Sequence, residues 1–586
     1  MSVLEQLRAA DSLEAFAHLL GFSPRGLAYV LYKISEERKY STFEIPKKTG
    51  GMRIIKAPDK RLALLQRRLA NLLYACLEEL KNSRPIRYRS LAHGFEKKRS
   101  IVTNAALHKR RRYVLNFDLE DFFPSINFGR VYGFFIKDKN FQTSAKVATL
   151  IAQIACHENS LPQGSPCSPV IANLITHILD ARLARIAKKF KCTYSRYADD
   201  ITFSTGQKIF PAAISFPVPP ENQEWMLGER ILKAVTSSGF LVNNKKTRMQ
   251  FRTSRQLTTG LMVNDKVNIR QEYWLAARQM CRSLFEEGVY YKWRVVGPES
   301  GEASSRREKI EYVTLSHIRG VMAHIYHVKN SSDKRSDAEK KEYPTSFVKL
   351  YRKFLFFKNF VMLDRPFIIT EGKTDPVYLR CAIRRLGEYH EVLGGVADGD
   401  FGGKVAFLNH ASSESKVLEL EGGTGQLNAF VAVYNKNAIS FPYKEFRFPV
   451  IVLIDNDDGG KSLFKMMKSR AKIDVSYSST EDFYYMGYNL YVIKTPEGVG
   501  ETPESCIEDL FPEEVLNMTL GGKSFNKSND HDGVATYGKA LFAKNIVEKN
   551  YQNINFDKFK PLLDRIVSVL RDYEKLIASG THLEGR

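Results

Sequence analysis

The sequence predicts an α/β chain of several domains, and three observations carry that expectation. First, its 586 residues exceed what one hydrophobic core usually organises. Second, apolar strand-like runs alternate with amphipathic helical stretches from about residue 41 to 265. Third, a new pattern starts near residue 365. There Phe367-Ile368-Ile369-Thr370 and Val450-Ile451-Val452-Leu453-Ile454 are each followed at once by acidic residues. Buried parallel strands carry functional groups at their C-terminal ends in this way. The 43% hydrophobic and 12% aromatic content suffices for packed cores, so disorder is not expected.

Taken in order, residues 1–40 read as helical, with Leu4, Leu7, Leu13, Phe16, Leu19 and Leu20 at helix spacing. Residues 41–264 begin with two alternating strands around a basic turn, Lys47-Lys48-Thr49-Gly50-Gly51. A long amphipathic helix follows from about 61 to 81, and then strands and helices alternate. Residues 265–330 turn helical and basic, broken by a polar stretch near 300 that is expected as a loop. The charged segment 331–364 is the expected linker, and 365–586 the second α/β domain. No internal repeat is visible.

Charge divides the chain. Of 88 basic and 65 acidic side chains, 61 and 33 fall in the first 360 residues. The excess positive charge therefore sits wholly in the N-terminal part, a footprint for phosphate backbones as well as for an ordinary lysine-rich surface. The seven cysteines (Cys76, Cys156, Cys167, Cys192, Cys281, Cys381 and Cys506) form no C-x-x-C pair. Neither a zinc site nor a disulfide framework is expected. The first residues lack a basic-then-apolar leader pattern, and no apolar run reaches spanning length, so a cytoplasmic chain with no membrane partner is expected.

Two acidic constellations stand out in the basic half. Val114-Leu115-Asn116-Phe117-Asp118 is a short apolar strand ending in a carboxylate. Tyr197-Ala198-Asp199-Asp200 lies between two apolar strands, which places a carboxylate pair at a hairpin tip. Phosphoryl transfer onto a 3′-hydroxyl uses two Mg²⁺ ions about 4 Å apart, held by converging hard oxygen ligands. Asp118 and Asp199 suit bridging ligands, with Asp200 in support. A lone Y-x-D-D would read as an acidic turn.

Its company changes that. The Tyr-x-Asp-Asp box, the Asp118-x-x-x-x-Phe123 box and Leu161-Pro162-Gln163-Gly164-Ser165-Pro166 stand in reverse-transcriptase order, and residues 10–330 resemble that family. The resemblance implies a right-hand polymerase of palm, fingers and thumb that copies RNA into DNA with two Mg²⁺ ions and dNTPs. It implies that Gln163 and Gly164 pack on the incoming nucleotide and that Phe123 excludes a ribose 2′-hydroxyl. Lys48 and Arg53 would grip the triphosphate, and Lys246, with Lys245 as substitute, would sit near the leaving pyrophosphate. Basic residues Arg270, Arg278 and Arg282 with Tyr273 and Trp274 suit a thumb. Asn104-Ala105-Ala106-Leu107-His108 and Leu91-Ala92-His93-Gly94-Phe95 resemble retron reverse transcriptases; Thr258-Thr259-Gly260 departs from their V-T-G. His108 alone would read as a helix-surface histidine. That family implies a cognate structured non-coding RNA as template and primer, and a branched RNA-linked DNA (msDNA) as product. A mobile-element enzyme of the group II intron kind is the rival, though no maturase or HNH pattern is found.

In the second half, Glu371 and Asp375 follow one strand, and Asp455, Asp457 and Asp458 another. These segments resemble Rossmann-like TOPRIM domains. Glu504-Ser505-Cys506-Ile507-Glu508-Asp509 and Tyr537-Gly538-Lys539 resemble the later boxes of overcoming-lysogenization-defect nucleases. The resemblance implies Mg²⁺ or Mn²⁺ held by Glu371, Asp375, Asp455, Asp457 and Glu508. Glu371 and Lys539 would act on a scissile phosphate of a nucleic-acid substrate. Asp509, Lys523 and Lys527 are alternatives at the later positions. A retron with such an effector implies anti-phage defence. A non-catalytic binding module and a primase-like activity remain rival readings of this half, and a homo-oligomer is allowed.

Overall fold

The computed structural model describes residues 1–46, 51–83, 91–218, 224–296, 306–312, 314–397, 400–498, 503–528 and 535–583. The chain forms two compact units: residues 1–271 with 327–334, and residues 272–326 with 335–586.

The first unit opens with short helices at Val3–Ala9, Leu13–Leu19 and Pro24–Ala28, each started by a serine (Ser2, Ser12, Ser23) whose hydroxyl accepts a backbone N–H. Leu4, Leu7 and Phe16 are buried as their spacing predicts. Strands β1 (Tyr40–Pro46) and β2 (Met52–Pro58) pair as an antiparallel hairpin. Helix α1 (Lys60–Ser83) buries Leu62, Leu65, Leu69, Leu73, Cys76 and Leu80 on one face.

The centre of this unit is a four-stranded antiparallel sheet. Its strands are β3 (Tyr113–Glu120), β4 (Thr193–Tyr197), β5 (Asp200–Thr205) and β6 (Leu241–Phe251), in the order β4-β5-β3-β6. Leu115, Phe117, Tyr194, Ile201 and Phe203 belong to the core, together with Ile171, Leu174, Leu179 and Leu183 of helix α2 (Ser168–Lys189).

The second unit contains a five-stranded sheet of β7 (Phe367–Thr370), β8 (Ala406–Phe407), β9 (Val450–Ile454), β10 (Tyr484–Gly487) and β11 (Leu490–Lys494), ordered β8-β7-β9-β11-β10. All neighbours are parallel except the edge strand β10. Ile368, Ile451, Leu453, Tyr491 and Ile493 share a core with Tyr378 and Leu379 of helix α4 (Asp375–Arg385) and Leu562, Ile566 and Val569 of helix α5 (Lys560–Ser579).

This division differs from the boundaries expected at 265, 331 and 365. Helix α3 (Ser346–Phe356), inside the expected linker, buries Phe347, Tyr351, Phe354, Leu355 and Phe356. Those aromatics recur at helical spacing and carry the segment into a core despite the charges before it. The helix Gln271–Glu287 joins the same unit: the Phe285 ring lies 5.3 Å from Phe357 and 5.2 Å from Phe441, and its carbonyl accepts the Tyr443 N–H. The expected loop near 300 begins and ends in paired strands, Tyr290–Val296 and Arg306–Tyr312; its tip, 297–305, lies outside the described residues.

Candidate active sites

The palm-like sheet brings the first three carboxylates together by register. Asp118 on β3 is the direct antiparallel partner of Asp200 on β5. β4 and β5 meet in a two-residue turn, Ala198-Asp199, whose first residue is left-handed at φ 56°. The carbonyl of Asp199 accepts the N–H of Leu119 at 3.0 Å, which ties the turn to β3.

What holds this turn was not legible as a motif. Arg196, fully buried on β4, donates from Nε and Nη2 to Asp180 of α2 at 2.7 and 2.8 Å. Its Nη1 donates to the carbonyl of Ala198 at 2.9 Å, inside the turn. Tyr194 adds a hydroxyl to Asp180 at 2.6 Å. From the other side, His93 N–H donates to the Arg196 carbonyl at 2.7 Å, and a Cβ on Gly94 would lie 2.6 Å from the Ala198 nitrogen. Only glycine permits that approach. His108 is wholly buried, with Nδ1 and Nε2 each 2.7 Å from a serine hydroxyl, Ser204 and Ser195. Burial drives its pKa down to about 3, so it is a neutral pin between β4 and β5 rather than a surface histidine.

The electrostatics suit cation capture. Burial, and then the charge of Asp118, push Asp200 up to about 7 and raise Asp199. Lys246 Nζ donates to Asp118 Oδ2 at 2.6 Å, a bond that raises the lysine pKa; no such bond to Lys245 is formed. Arg53 is near enough for its charge to lower Asp199. Lys48 lies outside the described residues. The Gln163 carbonyl accepts the Lys56 N–H of β2 at 2.8 Å. Gly164 follows at φ 126°, where a Cβ would be 2.5 Å from the Lys56 carbonyl oxygen. Phe123 is half-buried against Phe95 and Phe122.

The second unit gathers its acids at the C-terminal ends of β7 and β9. Glu371 accepts the Thr424 hydroxyl through Oε1 at 2.5 Å, and the N–H of Asp455 through Oε2 at 3.4 Å. Asp375 accepts the Gly372 N–H at 2.8 Å, and Asp455 the Ile507 N–H at 3.0 Å. Asp457 turns back to accept from Gly459 at 2.9 Å. Burial first, then the neighbouring carboxylates Asp375, Glu508, Glu371 and Asp457, hold Asp455 well above its usual range. Asp375 rises to about 6, chiefly through burial, with Glu508 adding to it. Lys539 Nζ donates to the buried Glu508 at 3.0 Å, whereas Lys527 pairs with Asp509. So Lys539 and Glu508 lie with the cluster.

Among the described residues, no three His, Cys, Asp or Glu side chains close around one point tightly enough to enclose a metal ion. Each cluster nonetheless has a buried carboxylate oxygen without a hydrogen-bond partner, Asp200 Oδ1 in the first and Glu508 Oε1 in the second. Hard oxygens of this kind fit a divalent cation.

The sequence pattern described as reverse transcriptase (RNA-dependent DNA polymerase) matches residues 45–270. Retron Mx65 reverse transcriptase of Myxococcus xanthus is 35% identical over 298 residues, which are 46% of this chain and 65% of that protein. Retron Ec86 reverse transcriptase of Escherichia coli is 30% identical over 301 residues, 51% of this chain and 79% of that protein. The chain belongs to the retron reverse transcriptases. It spans 54% of another member, retron Mx162 reverse transcriptase of Myxococcus xanthus, at 34% identity over 44% of its own length. Among solved structures, the match to a telomerase from Candida albicans in complex with a telomeric RNA fragment covers 71% of this chain and 66% of that one. The TM-score is 0.30 at 10% identity. Among the described residues, no helix of this chain is long and apolar enough to cross a membrane.

Proposed function

We propose that the first unit is the RNA-directed DNA polymerase of a retron, which makes msDNA from its own structured RNA. The observation that carries this is the pairing of Asp118 with Asp200 beside Asp199 at the end of the central sheet, in a chain with retron relatives. Asp118, Asp199 and Asp200 would hold two Mg²⁺ ions, which when bound lower the pKa of an attacking hydroxyl and neutralise the triphosphate. The chain's own part is orientation. The Arg196–Asp180 pair fixes the turn, and Lys246 and Arg53 bring positive charge to the triphosphate side. Gly164 leaves backbone room beside β2, and Phe123 offers a wall against a 2′-hydroxyl.

The second unit we read as a TOPRIM nuclease effector in anti-phage defence, with msDNA as its restraint. Glu371, Asp375, Asp455, Asp457 and Glu508 would hold Mg²⁺ or Mn²⁺, and Lys539 would face developing charge on the phosphate. The parallel sheet with acids at adjacent strand ends supports this over a binding-only module.

The test is to purify the chain from cells carrying its locus and analyse co-purifying nucleic acid, beside an Asp199→Ala, Asp200→Ala control. RNA-linked single-stranded DNA present only with the unaltered chain is the expected result. RNA alone from both would sink the msDNA assignment.

A further inference from the structure

Beyond the catalytic end, the central sheet of the first unit has a second charged feature at its opposite end. The start of β3, the end of β5, the end of β6 and the chain entering β4 all meet there. The Arg112 N–H donates to the Thr205 carbonyl at 3.0 Å, and the Arg252 N–H to the Arg112 carbonyl at 2.9 Å. The Tyr113 hydroxyl donates to the Lys208 carbonyl at 2.9 Å, and the Thr205 hydroxyl to the Lys191 carbonyl at 3.1 Å. These bonds collect the exposed cations Arg112, Lys191, Lys208 and Arg252 on one rim, and Lys109 lies three residues before Arg112. Arg111, half-buried among them, has a buried Nε with no partner. Among the described residues, two acids lie on neighbouring chain: Asp265, already held by Arg110 at 2.7 Å, and Glu224, next to the Trp225 ring that packs on Phe251. Two exposed apolar side chains, Ile209 and Phe251, stand within the rim.

Asp118 lies five positions along the strand from Tyr113, or about 17 Å. A polyanion on this rim would therefore be a different segment from the one at the carboxylates. The cations stand on sheet ends whose backbones are bonded to one another, so the spacing of their anchor points is set before any ligand arrives. That favours a repeating phosphate array over a single anion.

We propose that this rim is a docking surface for the sugar–phosphate backbone of a structured RNA, holding a stem while another part of the same molecule is copied. It rests on the retron reading for the identity of the RNA, though not for the existence of the surface. The experiment compares the full chain with a variant carrying Arg112→Gln, Lys208→Gln and Arg252→Gln. The probe is a 20-base-pair RNA hairpin, with a DNA hairpin of the same sequence alongside, titrated from 50 to 400 mM KCl. Extension of a short pre-annealed RNA template and DNA primer is measured in parallel. Three lost phosphate contacts should reduce the slope of log affinity against log salt by about 2–3, and weaken RNA binding at least about 10-fold near 150 mM. Extension should be unchanged. An unchanged slope, or extension falling in step with binding, would overturn the proposal, and equal loss for the DNA hairpin would overturn its assignment to RNA. Absence of extension by the unaltered chain would instead count against the polymerase reading, leaving the binding comparison intact.

Discussion

Asp180→Ala is expected to damage the protein more than its distance from any substrate suggests. The Arg196 guanidinium is fully buried and donates twice to Asp180, at 2.7 and 2.8 Å, and once to the Ala198 carbonyl at 2.9 Å. With Asp180 gone it keeps neutral acceptors and loses its only bonded carboxylate among the described residues. A stranded buried charge costs about 3–5 kcal/mol. For a unit of this size that is a fall of about 6–20 °C in its apparent unfolding temperature. Thermal unfolding followed by near-ultraviolet circular dichroism reads it directly. The paired change Asp180→Leu with Arg196→Met removes both charges at similar volume and should recover most of the stability. It should not recover RNA-templated extension, because the bond to the Ala198 carbonyl is still missing. A loss under about 1 kcal/mol for Asp180→Ala, or a double variant as unstable as the single one, would refute the claim that this pair sustains the turn.

Other consequences can be checked separately. Gly164→Ala places a Cβ 2.5 Å from the Lys56 carbonyl at φ 126°; primer extension should drop at least about 10-fold while the far-ultraviolet spectrum is kept. His108 has a folded pKa of about 3, below its unfolded value of about 6.5. Its stabilising contribution is therefore complete above pH 6.5 and shrinks by about 1.4 kcal/mol per unit as pH falls toward 3. His93, lowered to about 4, acts with the same sign. Unfolding temperatures between pH 7 and 5 should fall, and His108→Gln should flatten that slope. In the second unit, Glu508→Gln removes one charge from a cluster that holds Asp455 well above its usual range. Without added metal the unit should be as stable or more so, whereas metal-dependent nucleic-acid cleavage should be lost. Retained cleavage would remove Glu508 from the proposed site.

Much of each site was legible because the residues are local in sequence. Carboxylates such as Asp118 and Asp455 announce themselves through an apolar run and the acid after it, although β3 runs past Asp118 to Glu120 rather than ending there, and the register then does the convergence. The pairings that order the sites were not legible. Arg196 meets Asp180 from helix to strand, and Lys539 rather than Lys527 reaches Glu508 across 31 residues. His108 stood out only as part of the Asn104–His108 signature; its burial was not legible, since the two serines that bond its ring lie 87 and 96 residues away. The unit boundary was hidden for the same reason. The charged segment before α3 dominates its composition, whereas the aromatic contacts that place it are visible only in three dimensions.

Phe285 bears on how such a chain can be inherited. Its ring sits against Phe357 and Phe441, within the unit that begins at Glu272. A recombination event that joined a new C-terminal domain at residue 331 would take both Phe357 and Phe441 from this ring, and one at residue 365 would take Phe441. The resulting apolar face would favour aggregation over function. Exchange of the C-terminal domain would have to carry residues 272–326 and 335–364 with it, so the seam lies near the start of that helix rather than in the charged stretch after it.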